Sequence, residues 1–587
     1  MRIRSSLSRT AAVLTLATSL AACGGDDTGA SSDTAAGAAG APGGTMIIAT
    51  AAEPSFLFPP LVTGVSDRQI TDLVFDRLAE IGPALNTVGD QGFRPQLAER
   101  WTWAPDSMSI AFHLNPRARW HDGRPVRAND VRFTHRVYTD AALGSTTAPL
   151  LADIDSVSVR DSLTAVVWFE RRTPHQFFDA TYQLVVFPEH VYGAVRPGEL
   201  RTNALVRQPV GSGRFRFARW QPGQSLELLS DTANYRGRAK LDRVVYSVAP
   251  EFASATAKLF AGEADFFETL RPENIAALAN RPELKLHPYP SLAYGYLGFN
   301  LRDPRNRARP HPVFGDVNVR RALSMAVDRA AIVRNVYDSL AYVARGPFPR
   351  ALTSDVTVTE IPYDAARAAA LLDSLGWRMG ADSVRVKNGR PLAFRLAVPT
   401  SSATRGRMAV LLQEQLRRVG ARVEIDGQEF NAFVDRQQRR DFDSYFGAWN
   451  VDPTPGSIRQ TWGSAGMQGA EGSNYGSYSS PAFDALVDSA LATTDPARAR
   501  ALYQRAYQRI IDDAPAIWVY EPRFFAGAQR RLRPVGMRAD GWWAGLADWT
   551  IPEGERIDRD RVGLRTPVSA GTAAPAGTDT AAASTKR

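Results

Sequence analysis

The sequence contains a single cysteine, Cys23, among 587 residues, so no disulfide can form within the chain. Lysine is almost as scarce, with only five residues, and nearly all of the positive charge comes from arginine. The formal net charge is +9, but acidic residues are interleaved with the arginines and no segment forms a basic block. A nucleic-acid partner requires positive charge clustered on one face, so the charge distribution argues against one.

Long hydrophobic runs are also missing. The most apolar run, 10–20, follows a basic start made by Arg2, Arg4 and Arg9. This run is too short to cross a bilayer, which takes about 20 apolar residues. A basic start and a short apolar core predict a signal for export.

The tetrapeptide Leu20-Ala21-Ala22-Cys23 follows directly and resembles the bacterial lipobox, in which the cysteine is lipid-modified and becomes the mature N-terminus. The alternative is a plain secretory signal cut at an A-x-A-like site. The position of the only cysteine favours the lipobox. We therefore expect a lipoprotein signal peptide over 1–22 and a lipid anchor at Cys23 that tethers the protein to a membrane.

Both ends of the mature chain are poor in large apolar residues. The segment 23–45 is predicted to be a flexible tether, and 566–587 a disordered tail, because neither can bury a core. The folded body then extends over about 46–565. This length exceeds the size that a single hydrophobic core usually reaches, so two or three domains are expected.

Within the body, helical and strand patterns alternate. Alternating apolar residues over 392–398, a helical spacing from Met408 to Val419 and a new strand at Val423 predict a β-α-β unit with parallel strands. Asp316 is predicted to cap a helix. No repeat occurs at the periods typical of solenoids. The sequence thus predicts a mixed α/β protein built of several lobes.

The stretch 442–455 carries the clearest candidate for a binding site. A buried strand ends there in Trp449, Asn450 and Asp452, after which two prolines stop the chain from pairing further. The indole offers a flat apolar face, and the carboxylate can hold an ammonium group by a charge-assisted hydrogen bond. This pattern predicts the rim of a binding cleft. The structural alternative is a half-buried tryptophan beside an aspartate that caps a turn.

Five further polar or aromatic residues are candidates for the same cleft: Tyr296, Asn300, Trp462, Asn474 and Tyr475. The first two lie in an aromatic strand, 294–300, whose glycines suggest close approach of neighbouring groups. Alternation in this strand favours only one of Tyr294 and Tyr296 for the cleft. The last three lie near a glycine-rich segment, 463–476. Core packing and a surface loop are the respective alternatives.

Many segments, in order, resemble the extracytoplasmic solute-binding proteins of ABC importers, family 5, of the oligopeptide and dipeptide type. The resemblance covers about 47–532, and its principal segments are Leu97-Ala98-Glu99-Arg100-Trp101, Trp120-His121-Asp122-Gly123-Arg124-Pro125-Val126, Pro209-Val210-Gly211-Ser212-Gly213, Gly262-Glu263-Ala264-Asp265, Leu297-Gly298-Phe299-Asn300, Val319-Arg320-Arg321-Ala322-Leu323 and Tyr478-Ser479-Ser480-Pro481.

The resemblance implies a periplasmic-binding-protein-like α/β fold of class II, with two hinged lobes around a ligand cleft and an extra domain enlarging one lobe. It implies a lobe I made of 46–90, 205–292 and 518–565, an extra domain II over 91–204, and a lobe III over 293–517. It also implies that the Trp-His-Asp-Gly segment is a structural turn.

The resemblance further implies a monomeric lipoprotein of the periplasm or cell envelope, without a cofactor, that captures peptides and delivers them to an ABC permease in the inner membrane. Trp449-Asn450-Val451-Asp452 is similar to the family's Trp-x-x-Asp, whose aspartate holds the free amino group of a peptide. Replacing Asp452 by alanine should then lower peptide affinity at least tenfold, about 1.4 kcal/mol.

Other ligands and functions remain as alternatives. The same fold can bind a sugar, an opine, haem or a chelated metal, or can signal or act as a chaperone without a permease. A tethered secreted hydrolase is the rival class, but the sequence has no G-x-S-x-G or S-x-x-K, and Gly463-Ser464-Ala465-Gly466 has the wrong spacing. The seven histidines show no H-E-x-x-H or cysteine partner spacing, so a metal site is not expected. Because the nucleophile motifs are missing, no catalytic residue is assigned and the protein is not expected to be an enzyme.

Overall fold

A computed structural model describes residues 42–560 except 63, 279, 354–355, 468–472 and 494. The expected signal peptide, Cys23, the tether as far as 41 and the C-terminal tail lie outside the described residues. Each helix among the described residues is too short or too polar to span a lipid bilayer.

The first lobe is built on a mixed seven-stranded sheet. Its first strand, Thr45–Thr50, lies parallel to two neighbours, Arg243–Val248 and Phe266–Phe267. The order across the sheet is Leu284–Tyr289, Phe524–Gln529, Phe266–Phe267, Thr45–Thr50, Arg243–Val248, Ser225–Ser230 and Phe215–Gln221. Helices cover both faces: Val65–Val74 on one, and Phe252–Phe260 with Pro272–Leu278 on the other. The central strand Thr45–Thr50 is therefore buried on both faces, whereas the outer strand Phe215–Gln221 is partly exposed.

The second lobe is built on a six-stranded sheet. Its order is Ala341–Val343, Ala516–Pro522, Ala293–Phe299, Ser444–Asn450, Ala393–Pro399 and Arg422–Gln428. The last two strands are parallel and are joined by the helix Ala403–Arg418, which confirms the predicted β-α-β unit. On one face lie helices Val317–Met325, Arg329–Tyr337, Ala365–Ser374 and Ala403–Arg418. The predicted cap is also confirmed, because the Asp316 carboxylate accepts a 2.9 Å bond from the Asn318 amide.

An additional sheet is inserted into the first lobe. It is antiparallel, packs against the helix Ala128–Thr139 and contains the strands Ala98–Trp103, Ser109–Leu114, Thr164–Phe169 and Ile154–Asp161 in that order. His121 in the Trp-His-Asp-Gly turn joins this sheet to the first lobe: its Nδ1 accepts from the Gly211 amide at 3.2 Å, and its Nε2 lies 2.9 Å from the Gly213 carbonyl. The ring is thus engaged by backbone groups.

Further helices and small sheets complete the part of the chain that the structure describes. The remaining helices of three or more residues outside the 3-10 class are Gln176–Phe178, Glu189–Tyr192, Pro197–Leu200, Phe430–Gln438, Ile458–Trp462, Pro481–Ala492 and Pro496–Asp513, with a π-helical turn at Asp179–Gln183. The small sheets pair Ala79–Ile81 with Phe93–Pro95, Arg302–Asp303 with Asn306–Pro310, and Arg385–Lys387 with both Arg378–Met379 and Arg390–Pro391.

The chain passes between the two large sheets at two places. It leaves the first sheet after Tyr289 and enters the second at Ala293. It returns through Arg523, which separates Ala516–Pro522 from Phe524–Gln529. The division at 517/518 expected from the sequence therefore falls inside a strand of the second lobe, and the observed crossing comes after 522.

Candidate functional site

The strand Ser444–Asn450 delivers the predicted site residues to the edge of the second lobe. It pairs antiparallel with Ala293–Phe299, with Trp449 opposite Tyr294. One further bond, from the Val451 amide to the Leu292 carbonyl at 2.9 Å, ends the pairing. The chain then turns away at the two prolines, which cannot continue a ladder, and leaves Asp452 outside the sheet.

Asp452 lies at the junction of two cavities between the lobes. The larger one, the main cavity, has a volume of about 1060 Å³ and lies between residues 150–183 of the inserted domain and 452–492 of the second lobe. A smaller side cavity of about 300 Å³ borders residues 59–77 of the first lobe and also includes Asp452. The main cavity is large enough for a ligand of several residues.

The Asp452 carboxylate has no hydrogen-bond or ion-pair partner among the described residues. It is exposed to the water of the cavity, but the surrounding protein desolvates it and raises the pKa of its carboxyl, while Arg68 acts in the opposite direction. Arg68 itself is engaged with Asp72 at 3.2 Å. A carboxylate held in a cleft without a matched cation is equipped to receive one from a ligand.

Two of the arginines that line the main cavity already form ion pairs, whereas Asp452 does not among the described residues. Arg171 lies 2.8 Å from Asp153, and Arg459 lies 2.8 Å from Asp488. These pairs stand on opposite walls of the cavity, the first on the inserted domain and the second on the second lobe. Among the described residues, the carboxylates of Asp452 and of a second residue, Asp179, are therefore left without a partner.

The two walls touch at His175. Its Nε2 lies 3.2 Å from the Tyr503 hydroxyl, and its Nδ1 lies 3.4 Å from the Thr454 hydroxyl. Burial lowers the pKa of His175 to about 4, so the ring is neutral at neutral pH. The contact joins the inserted domain to the second lobe at the lining of the main cavity.

The other predicted site residues surround this strand but do not line the main cavity. Trp449 and Tyr475 are half-buried, with ring centroids 6.5 Å apart, and Asn450 is exposed. Tyr296 and Trp462 are buried in an aromatic cluster, in which the Tyr296 hydroxyl lies 2.9 Å from that of Tyr445.

The expectation that alternation along the strand would turn only one of Tyr294 and Tyr296 towards the cleft was wrong. The two residues are separated by one position, so a strand places them on the same face, and their ring centroids are 5.5 Å apart. Trp462 donates from its indole to the Tyr294 hydroxyl at 2.9 Å. The cluster forms a rigid backing for the strand that carries Trp449.

Asn300 and Asn474 are each about 1% exposed and use their amides inside the protein. Asn300 donates to the carbonyls of Arg440 and Phe442 at 3.1 and 3.0 Å. Asn474 donates to carbonyls that include that of Tyr478 at 2.8 Å. These bonds fix loops of the second lobe and leave little of either amide for a ligand.

Sequence reasoning missed the residues of the opposite wall, especially Arg171, His175 and Asp179. The segment 171–183 has no sustained helical or strand period, and its chemistry emerges only when it meets the second lobe. A carboxylate close to an aromatic pair, Phe177-Phe178, was the available signal, but nothing in the order of residues joined it to Asp452.

Two lobes, two crossings and a cavity enclosed between the lobes define a two-lobed solute-binding protein. The chain belongs to the bacterial extracellular solute-binding proteins, family 5, whose middle-region model matches residues 92–470.

Relatives of known name or structure agree with this assignment. The oligopeptide-binding protein AppA of Bacillus subtilis (strain 168) is 27% identical over 531 residues, 89% of this chain and 94% of that protein. The structure of AppA from Bacillus subtilis with a nonapeptide has a TM-score of 0.67 at 25% identity and covers 87% of this chain and 99% of that one. Heme-binding protein A of Haemophilus influenzae is 25% identical over 557 residues, 91% of this chain and 96% of that protein.

Proposed function

We propose that this chain captures peptides, or peptide-like solutes with a free amino group, in the cleft between its lobes and delivers them unchanged to an ABC permease. The observation that carries this proposal is the Asp452 carboxylate, which stands without a partner among the described residues where two interlobe cavities meet. The similarity to an oligopeptide-binding protein and to a structure holding a nonapeptide supports a peptide as the ligand.

In this proposal Asp452 holds the amino terminus by a charge-assisted hydrogen bond. The half-buried rings of Trp449 and Tyr475 supply an aromatic surface for the first side chain, and the exposed Asn450 is available to the peptide backbone. Four buried residues support the site indirectly by keeping the strand and its neighbouring loops in place: Tyr296, Trp462, Asn300 and Asn474.

Calorimetry with a tripeptide and its N-acetylated form tests the anchor. Asp452→Asn should weaken binding of the free peptide at least tenfold, about 1.4 kcal/mol, because the amide cannot pair with the ammonium group. It should leave the weak binding of the acetylated form unchanged. Asp488→Asn is the matched control, because it removes a carboxylate of the same cavity that Arg459 already occupies. Equal affinities of Asp452→Asn and wild type would reject the anchor.

The pH dependence provides a second test of the same group. Because the pKa of Asp452 is raised, its carboxyl takes up a proton at a higher pH than an ordinary aspartate, whose pKa is about 4. A protonated acid holds no ammonium ion. The peptide affinity of the wild-type protein should therefore begin to fall on acidification at a pH above that expected for an ordinary aspartate. The peptide affinity of Asp452→Asn should change less with pH over the same interval.

A non-peptide solute is the second candidate, since a relative of similar length is a haem-binding protein. Native mass spectrometry of freshly purified protein would distinguish the candidates by the mass of a co-purified solute. A series of peptide masses would support the proposal, whereas one constant non-peptide mass would overturn it.

We also propose that the mature protein is a monomer of the periplasm or cell envelope, anchored by lipid at Cys23, and that lobes I and III and domain II follow the division expected above with the return crossing after 522. The sequence around the single cysteine supports the anchor. Cys23→Ser should release the protein from membranes into the soluble fraction of the producing bacterium. Continued membrane association of this variant would contradict a lipid anchor at Cys23.

A further inference from the structure

Asp179 is the second acid of the main cavity without a partner among the described residues. It lies on the helical segment 176–183 of the inserted domain, where its amide donates to the His175 carbonyl at 2.9 Å. Since His175 in turn contacts Thr454 and Tyr503, the wall that carries Asp179 is fixed against the second lobe. The position of its carboxyl in the cavity is thus determined by the fold.

The charges around Asp179 do not neutralise it. Asp153 and Arg171 lie on the same wall but pair with each other, and Arg459 and Asp488 do so on the opposite wall. Three charged side chains of the lining remain outside these ion pairs among the described residues: the carboxylates of Asp179 and Asp452 and the exposed guanidinium of Arg172. The available groups therefore match a ligand with two positive charges and one negative charge.

Two further observations show that polar groups in this part of the lining are not satisfied by the described residues. Burial and the charge of Asp153 raise the pKa of Asp179 to about 8, which Arg171 offsets only in part. Thr173 is also part of the cavity lining, and its hydroxyl is buried and has no hydrogen-bond partner among the described residues. Holding such groups unsatisfied costs stability, and this cost is typical of sites that await a ligand.

The apolar lining nearby completes a pocket for a long cationic side chain. Leu150, Phe178 and Leu491 line the same cavity. The aliphatic stem of a lysine or arginine side chain packs on such surfaces while its charged end reaches a polar group.

We propose that Asp179 forms a cation-selective subsite in the main cavity, so that the preferred ligands are peptides carrying a basic side chain in addition to the free amino terminus. This inference rests on the proposed function, because it takes Asp452 as the holder of the amino terminus. Asp179 receives the ammonium or guanidinium of the side chain, and Arg172 is available to the carboxyl terminus.

The experiment compares alanine pentapeptides that contain one lysine, moved through all five positions, with the same peptides in which that lysine is Nε-acetylated, and with pentaalanine. Acetylation keeps the stem and removes the charge. In at least one position the lysine peptide should bind at least tenfold more tightly than its acetylated form. This preference should shrink below threefold in Asp179→Asn, and in Asp179→Ser, while pentaalanine affinity changes less than threefold.

Asp488→Asn is the control, since it removes another acid of the same cavity that is already paired with Arg459, and it should keep the lysine preference. At pH 7, wild-type binding of the preferred lysine peptide should also release more protons than binding of its acetylated form, because a bound cation favours the ionised Asp179. Calorimetry in two buffers of different ionisation heat measures this difference.

The outcomes separate the two proposals. If wild type binds pentaalanine with an Asp452-dependent affinity but shows no lysine preference, the cation subsite is wrong and peptide capture stands. If the preference survives in both Asp179 variants, the subsite is wrong in its location. If no pentapeptide binds, both the proposed function and the subsite fall.

Discussion

The hydroxyl of Ser291 donates a 2.8 Å hydrogen bond to the carbonyl of Pro522 and so joins the two places where the chain passes between the lobes. The same oxygen accepts from the Ala293 amide at 3.2 Å. Ser291 is only 2% exposed, and its two backbone partners at Ala293 and Pro522 are half-buried, so removal of the hydroxyl takes away one partner from each of them. One side chain thus fixes the relative position of both crossings, which are where a hinge must bend.

Ser291→Ala should lower the free energy of unfolding by about 1–3 kcal/mol, because it removes two hydrogen bonds that contribute about 0.5–1.5 kcal/mol each. Denaturant titration followed by tryptophan fluorescence measures the change. The control is Ser156→Ala, whose hydroxyl is exposed and bonds only the neighbouring Asp155 among the described residues. That variant should stay within about 0.5 kcal/mol of wild type. Equal losses in the two variants would contradict a special role for the crossing.

The contact at His175 should respond to acid. A free histidine has a pKa of about 6.5, whereas the pKa in the contact is about 4, so the contact binds fewer protons than the separated walls. Its contribution is therefore complete above about pH 6.5 and is lost as the pH falls from there towards 4, by up to about 3 kcal/mol. The mean distance between fluorophores on the two lobes should increase over this interval.

His175→Gln isolates this effect from the titration of the cavity carboxylates. Glutamine can still hydrogen-bond to Thr454 or Tyr503 but cannot take up a proton in this range. The pH dependence of the interlobe distance should be flatter in this variant than in wild type. Identical profiles would show that His175 does not control the separation of the walls.

Gly295 and Gly298 allow aromatic rings to lie directly on the central strand of the second lobe. A Cβ at Gly295 would meet Tyr520 Cε1 at 1.9 Å, and one at Gly298 would meet Tyr445 Cε1 at 2.6 Å. Gly295→Ala should therefore destabilise the protein by about 1–3 kcal/mol, since the ring and strand must move apart.

A matched alanine substitution should have the opposite sign. Gly406 lies in the helix Ala403–Arg418, has an ordinary φ, and a Cβ there would meet nothing within 4 Å. Gly406→Ala should raise the free energy of unfolding by about 0.5–1 kcal/mol, because it reduces the freedom of the unfolded chain. Denaturant titrations of both variants measure the change in the free energy of unfolding. A lower value for Gly406→Ala, or an unchanged value for Gly295→Ala, would contradict the predicted effects of adding a Cβ at these positions.

The outcome at these positions shows which parts of the structure local patterns can predict. The parallel unit 393–428 and the cap at Asp316 depend on residues close in sequence, and both were predicted correctly. The close approach at Gly295 was also foreseeable, because a strand needs glycine only where another group lies on it. By contrast, the main cavity depends on contacts such as His175 with Tyr503, which are 328 residues apart.

Only the wall of the cavity that carries Asp452 could be predicted from the sequence, because the opposite wall depends on contacts between residues far apart in the chain. Asp452 follows a recognisable strand and two prolines, so its exposure at the end of a sheet could be expected. Asn300 and Asn474 are also polar, but their burial against backbone carbonyls depends on loops whose course the sequence pattern does not specify. Residue type alone therefore could not separate ligand contacts from structural amides.

Asp265, from the Gly262-Glu263-Ala264-Asp265 segment, holds the first strand in the sheet, and its removal should be among the most damaging substitutions. Its carboxylate is fully buried and accepts from the Ile47 amide and from Arg531 Nε, both at 2.9 Å, and it also pairs with Arg559. Asp265→Ala leaves buried guanidinium charge without this partner, which costs about 3–5 kcal/mol. Denaturant titration measures the loss, and Asp558→Ala, at an exposed acid of the same region, should be nearly neutral. A small effect of Asp265→Ala would mean that Asp560, 2.6 Å from Arg531, suffices to hold the arginine, and the double variant with Asp560→Ala should then show a loss larger than the sum of the single losses.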